Sequence, residues 1–223
     1  MSKDYYSQKL SAEQLHKVYE VAPPRVRRYL EAEIDFVRER ILPGSLALEL
    51  GCGYGRVLQG LPSGTRRLVG IDTSVASLLM GRGYLKGKVM MAVMNAVLLG
   101  FKDKCFDLVA CIQNGISAFK VDQEELIREA LRVTRPGGRV LFSSYSEKFW
   151  PERLNWFRIQ ADHALLGEID EKATGNGVIV CKDGFRATTV GRADFRALAS
   201  RIGVACTIEE VDESSIFCEM LVP

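Results

Sequence analysis

Residues 46–56 place an acidic side chain, Glu49, one residue before the end of an apolar run, followed by three glycines, Gly51, Gly53 and Gly55, at alternate positions. Glycine admits backbone conformations that Cβ-bearing residues resist, so the spacing predicts a tight turn leaving a strand over 45–50. The segment 54–61 has helical composition. A glycine turn between strand and helix presents bare amide N–H groups and a helix N-terminus to a ligand. Glu49 adds a carboxylate beside that turn. Together these residues suit a ligand that is cationic or amine-bearing in one part and adenosine-like in another. Asp72 ends the next predicted strand, a position at which open α/β sheets bind ligands. Taken alone, it would serve equally well as the N-cap of the segment opening with Thr73 and Ser74.

Other reactive residue types offer less. The six cysteines, at 52, 105, 111, 181, 206 and 218, include no Cys-x-x-Cys pair, and neither His16 nor His163 lies near one in sequence. The expectation is buried thiols and no metal site. The chain has 223 residues, 47% of them apolar, and a formal net charge of +2. That is enough material for one ordinary globular domain over 1–223. The charge is too small to suggest a nucleic-acid or membrane surface, and a small-molecule partner is the default expectation. The longest apolar stretch, 89–101, is interrupted by Asn95 and falls short of the roughly 20 residues a membrane helix needs. Residues 1–6 carry no apolar signal region, so a soluble, cytoplasmic protein is expected.

The elements that must position these residues follow from periodicity. Residues 11–42 read as helical, broken at Pro23-Pro24, with Leu30, Ile34, Val37 and Ile41 recurring on one face. After Gly44 the pattern predicts strands at 45–50, 67–72, 88–93, 106–112 and 138–144, and helices at 54–61, 74–85 and 122–134. Such alternation argues for a parallel sheet with helices on both faces. Pro136-Gly-Gly138 predicts a sharp helix stop before the fifth strand. Residues 146–190 predict a helix at 150–166 and a hairpin around Asp183-Gly184. A helix at 192–202 and strands at 205–211 and 215–222 close the chain.

Five segments resemble, in order and spacing, the motifs of the class I S-adenosylmethionine-dependent methyltransferases. Glu49-Leu-Gly-Cys-Gly-Tyr-Gly55 is similar to the family's first motif, and Val69-Gly-Ile-Asp-Thr-Ser74 to its second. Asn95-Ala-Val-Leu-Leu-Gly-Phe101 stands where the family carries an Asp-Ala-x-x-Leu-Pro-Phe element. Phe106-Asp-Leu-Val-Ala-Cys-Ile112 and Leu131-Arg-Val-Thr-Arg-Pro-Gly-Gly-Arg-Val-Leu141 resemble its fourth strand and the turn into its fifth. The resemblance covers about residues 40–145 and the segment from 190 onward. It implies a seven-stranded, mostly parallel, doubly wound α/β sheet of order 3-2-1-4-5-7-6 with the last strand antiparallel. It further implies N-terminal helices forming a lid over 1–42 and an inserted helix-hairpin substrate cap over 146–190.

The implied cofactor is S-adenosyl-L-methionine, with S-adenosyl-L-homocysteine as product and no metal. The implied cofactor-binding residues are Glu49, Gly51, Cys52, Gly53, Gly55, Arg56, Asp72, Thr73, Asn95, Ala96, Ile112, Gln113 and Asn114. Asp72 would accept from the ribose hydroxyls and Glu49 would lie near the methionine part. Asn95 departs from the usual aspartate, since it donates as well as accepts and carries no charge; its alternative role is a turn residue after the third strand. Gln113 and Asn114 would face cofactor or substrate, or cap their own loop. Tyr5, Tyr6, Tyr19, Gly115, Tyr145 and Trp150 are the candidate substrate or lid residues.

An activated sulfonium methyl group asks the protein mainly for alignment, and a general base only where the acceptor must lose a proton. His163, in the predicted cap helix, is the candidate base; the plainer reading of a lone helical histidine is structural. The acceptor expected is a small molecule. Macromolecular methylation and cofactor binding without catalysis are the alternatives. A dinucleotide-dependent oxidoreductase would want glycine at position 56, where Arg56 stands.

Overall fold

The computed structural model describes residues 11–62, 67–87 and 89–223. Its seven-stranded sheet comprises β1 (Leu46–Leu50), β2 (Arg67–Asp72), β3 (Met90–Val93), β4 (Phe106–Cys111), β5 (Thr134–Tyr145), β8 (Cys206–Val211) and β9 (Ser215–Leu221). They are arranged β3-β2-β1-β4-β5-β9-β8, and a separate two-stranded ribbon pairs β6 (Ile179–Val180) with β7 (Arg186–Ala187). The first five pair in parallel, and β9 runs antiparallel to both its neighbours. This is the strand order the sequence implied, with β9 as the seventh strand of the sheet.

Helices cover both faces, and strand alternation explains how. Leu48, Leu50, Val109, Cys111, Val140 and Phe142 point to one side, against α6 (Gln123–Val133) and α8 (Arg192–Ile202). Ala47, Leu108, Ala110, Leu141 and Phe217 point to the other, against α2 (Pro24–Arg38), α3 (Arg56–Gly60) and α4 (Val75–Tyr84). Helix α1 (Glu13–Glu20) ends before Pro23-Pro24, and Pro24 opens α2, where the missing N–H costs nothing.

A third core meets the seven-stranded sheet at Tyr145, the last residue of β5. Val18, Val26, Tyr29 and Leu30 of the N-terminal helices pack with Tyr145, Phe149, Trp156, Phe157, Ile179 and Phe185. Trp156 and Phe157 come from α7 (Trp150–Asp162), which starts directly after a 3₁₀ turn at Glu147–Phe149. Trp156 Nε1 donates to the Val18 carbonyl at 3.1 Å, so α7 is tied to α1. Three boundaries differ from expectation. The helix predicted over 150–166 stops at Asp162; the hairpin keeps only two paired residues per strand; and β5 begins at Thr134, through an irregular pairing with β4. A short helix, α5 (Gly115–Ala118), was not predicted.

Candidate functional site

The carboxyl ends of β1, β2 and β4 converge on the glycine turn. Gly51, Gly53 and Gly55 all have positive φ, at 73°, 54° and 89°, conformations that favour glycine. Asp72 holds the turn in place: its Oδ2 accepts from the Gly53 amide at 2.9 Å and its Oδ1 from the Ser74 amide at 2.7 Å. The N-cap of α4 is Ser74, whose Oγ accepts from the Ser77 amide, so capping is not the role of Asp72. Thr73 adds a third backbone donor, and a carboxylate with about four acceptor sites still has room for a ligand donor. Burial raises the pKa of Asp72, and the backbone donors oppose that rise. Thr73, beside it, is exposed.

Glu49 is buried, and its Oε2 has no hydrogen-bond partner. Burial pushes its pKa up to about 8, opposed by Arg56 and reinforced by Asp72. An orphaned buried carboxylate oxygen is costly unless a donor reaches it, and the ammonium group of an amino-acid-like ligand is such a donor. The Arg56 guanidinium lies 4.6 Å from the Tyr19 ring centroid, and its Nε and Nη2 are also buried without partners. These groups fit a polar cofactor with an amine at one end and hydroxyls at the other.

The space the glycines leave is used by the protein's own side chains. A Cβ at Gly51 would lie 2.4 Å from Phe119 Cζ, one at Gly53 2.8 Å from Leu15 Cδ2, and one at Gly55 2.5 Å from Leu85 Cδ1. Leu15 therefore brings α1 directly onto the turn. The Ala12 amide donates to Ser77 Oγ at 2.9 Å, and the Tyr19 hydroxyl donates to Gln113 Oε1 at 3.0 Å. Cys52 is buried; its amide donates to the Ile71 carbonyl, and burial drives its thiol pKa far up.

After β4, Ile112 is buried, and Gln113 and Asn114 occupy the left-handed region in succession, with φ of 56° and 62°. Such strain persists only where surroundings impose it. Here the Gln113 amide is shared between Glu33 Oε2 at 2.7 Å and Ser143 Oγ at 2.8 Å. Asn114 gives its side-chain N–H to the Thr188 carbonyl and accepts from Ser144 Oγ. Its side-chain amide is thus hydrogen-bonded within the fold. Gly115 is a packing glycine, since a Cβ there would lie 2.6 Å from Cys111 Sγ. Asn95 is exposed, and its Oδ1 accepts from the Val97 amide at 3.1 Å, as a turn residue does; Ala96 is buried in the core.

Glu33 is the residue that sequence reasoning missed. It is fully buried on α2, and its Oε1 accepts from Ser215 Oγ at 2.8 Å. Burial pushes its pKa up to about 7, opposed by its bonds to Ser143, Ser215 and Gln113. The available signal was a carboxylate on the apolar stripe of Leu30, Ile34 and Val37.

A cavity of about 90 Å³ lies across Leu15 and Tyr19 from the glycine turn, lined also by Tyr29, Gln113, Tyr145, Trp156, Phe157 and Phe185. Trp150 is half-buried and packs beside this group rather than lining the cavity. His163 stands exposed at the C-cap of α7, one residue past the helix end, outside the cavity lining; the helix is too short to carry it inward. That corrects its candidacy as a base. Tyr5 and Tyr6 lie outside the described residues. Among the described residues no cluster of three or more His, Cys, Asp or Glu side chains could hold a metal, and no helix is long and apolar enough to cross a membrane.

Residues 48–142, which contain the glycine turn, Asp72 and the Gln113 turn, match the family model described as a methyltransferase domain. The chain carries a methyltransferase domain. Its fold is Rossmann-like. The chain is 25% identical over 145 residues to the 2-methyl-6-phytyl-1,4-hydroquinone methyltransferase of Synechocystis sp., covering 56% of this chain and 42% of that protein. It is 36% identical over 107 residues to the demethylmenaquinone methyltransferase of Mycobacterium marinum, covering 48% and 44%. The chain thus spans under half the length of these two curated relatives. In fold, the chain is similar to the N-methyltransferase NodS of Bradyrhizobium japonicum, solved with S-adenosyl-L-homocysteine. That likeness covers all of both chains at 15% identity, with a TM-score of 0.64.

Proposed function

We propose that this chain transfers the methyl group of S-adenosyl-L-methionine to a small-molecule acceptor, as a soluble, cytoplasmic enzyme. The observation that carries the reading is the pair of carboxylates, Glu49 and Asp72, standing on either side of the glycine turn, one with an orphaned oxygen and the other with room for one more donor. When bound, the cofactor supplies a sulfonium methyl group already activated for transfer. Glu49 would pair with its ammonium group and Asp72 would accept from its ribose hydroxyls, with the Gln113 turn at the end of β4 beside them. An acceptor held in line with that methyl group would need no further activation from the protein, so the chain's residues would act by binding, orienting and excluding water. Helix α1 serves as a lid and residues 146–190 as the acceptor's cap, aligning the nucleophile and excluding solvent. The names of the hydroquinone and menaquinone relatives support a small acceptor.

Calorimetry with S-adenosylmethionine, S-adenosylhomocysteine and NAD tests the donor. Binding of the first two, and not of NAD, is expected; binding of NAD alone would overturn the reading. Asp72→Ala removes a charged acceptor, and S-adenosylhomocysteine affinity should fall roughly ten- to a hundredfold. An unchanged Kd would remove Asp72 from the site.

A further inference from the structure

The cavity beneath α1 has a composition that restricts what it can hold. Six aromatic rings line it, from Tyr19, Tyr29, Tyr145, Trp156, Phe157 and Phe185, and none of its lining side chains is charged at neutral pH. Two buried polar atoms at its wall lack hydrogen-bond partners, Gln113 Nε2 and Tyr29 Oη. Tyr29 is fully buried. Tyr145 packs with its ring centroid 5.3 Å from that of Tyr29 and biases its ionisation, yet no hydrogen bond of good geometry joins the two hydroxyls. Gln113 Nε2 can only donate, and a tyrosine hydroxyl can do either. A neutral ring bearing an oxygen satisfies both.

Charge selects further. The Arg153 guanidinium stacks 4.5 Å from the Tyr145 ring centroid and is itself buried, which disfavours a cationic guest next to that wall. A carboxylate would surrender its hydration to a lining with no charged side chain, an unfavourable exchange, and Arg153 is committed to the Tyr145 ring and is not part of that lining. Leu15 and Tyr19 belong to both compartments: Leu15 lines the cavity and abuts Gly53, and Tyr19 lines it and stacks on Arg56. The cavity is therefore one side chain away from the glycine turn.

Resting on the donor reading above, we infer that this cavity is the acceptor site and takes an uncharged, planar, hydroxyl-bearing ring, a phenol or hydroquinone head group, between the aromatic walls with its oxygen on Gln113 Nε2 and Tyr29 Oη. At about 90 Å³ the cavity is smaller than the roughly 150 Å³ that admits benzene in an engineered protein core. Seating the ring therefore moves Leu15 outward, and Leu15→Ala enlarges the site.

The test is equilibrium binding to the full chain loaded with S-adenosylhomocysteine, using hydroquinone, benzoate and benzylammonium as probes and tryptophan fluorescence or calorimetry as readout. Hydroquinone should bind at least about tenfold more tightly than either charged probe. Tyr29→Phe, with an unchanged melting profile, should weaken hydroquinone roughly five- to tenfold and leave S-adenosylhomocysteine affinity alone. Leu15→Ala should improve binding of a methyl-substituted hydroquinone relative to hydroquinone itself. Benzoate or benzylammonium binding as tightly as hydroquinone overturns the proposal, as does a Tyr29→Phe protein with unaltered hydroquinone affinity. Should S-adenosylhomocysteine itself fail to bind, the donor reading fails; if it binds and hydroquinone does not, the acceptor proposal alone fails.

Discussion

The glycine turn and the aromatic cavity face each other across Leu15, and they are assembled from different material. The turn draws on residues close in sequence, from Glu49 to Ser74, and is held by backbone amides: Gly53 and Ser74 on Asp72, Cys52 on Ile71. The cavity gathers Leu15, Tyr29, Gln113, Tyr145, Trp156 and Phe185 from across the chain and is held by side-chain packing. A site held by backbone tolerates little change in side-chain volume at its glycines. One held by packed side chains can be reshaped by single substitutions. That difference suits an enzyme with an invariable donor and an acceptor particular to it.

The comparison breaks most severely at Gly51. Its φ of 73° disfavours any side chain, and a Cβ would meet the Phe119 ring at 2.4 Å, so Gly51→Val combines backbone strain with overpacking. Together these cost about 3–5 kcal/mol. Thermal unfolding should report a fall of roughly 10 °C or more, with loss of S-adenosylhomocysteine binding. A Gly51→Val protein that melts and binds like the parent would show that the turn is not built as described.

What could be read beforehand follows the same division. Periodicity and turn residues identify the strands, the helices that cover both faces and the glycine turn, because those signals are local: Gly51, Gly53 and Gly55 sit within five positions, and Pro23-Pro24 separates α1 from α2 within two. The strand order came from resemblance, since pairing between residues as distant as Arg139 and Leu221 leaves no local trace. Glu33 escaped notice because its partners, Gln113 and Ser215, lie far away in sequence. Asn114 was readable as a polar residue after β4, but not as one whose amide is consumed by Thr188 and Ser144. His163 attracted attention through its chemistry alone, and the end of α7 at Asp162 leaves it outside.

Glu33 joins the two regions, since α2 carries it from the cavity side to the Gln113 amide. Its folded pKa of about 7 lies above the ordinary 4.5, so the folded state holds a proton that the unfolded state has released between those values. Stability from this group is therefore complete below about pH 4.5 and is lost as pH rises through about 7. Glu49, raised to about 8, acts in the same direction. In denaturant unfolding of the parent, the Glu33 share of this fall should be about 2–3 kcal/mol between pH 5 and pH 8.5. Glu33→Gln carries no ionisable proton, so its profile should be flatter by about half, at the expense of one hydrogen bond at low pH. Parallel profiles for parent and variant would show that Glu33 ionises as freely in the fold as outside it.

The smallest effect expected is at the contact that closes the cavity. Trp156→Phe keeps an aromatic ring in the third core and removes the indole N–H that the Val18 carbonyl accepts at 3.1 Å. The Ala22 amide bonds the Tyr19 carbonyl rather than that of Val18, so the freed carbonyl turns to water at the end of α1 and the loss should be about 1 kcal/mol, or 2–4 °C in melting temperature. Its consequence should be local. Helix α1 is held by few long-range bonds, those of Ala12, Tyr19 and this indole, so weakening one should speed amide exchange across residues 13–20 while β1, β4 and β5 keep their protection. Exchange that rises equally in the sheet would mean that α1 opens only with the whole fold, and the cavity side would then be no more pliable than the glycine turn.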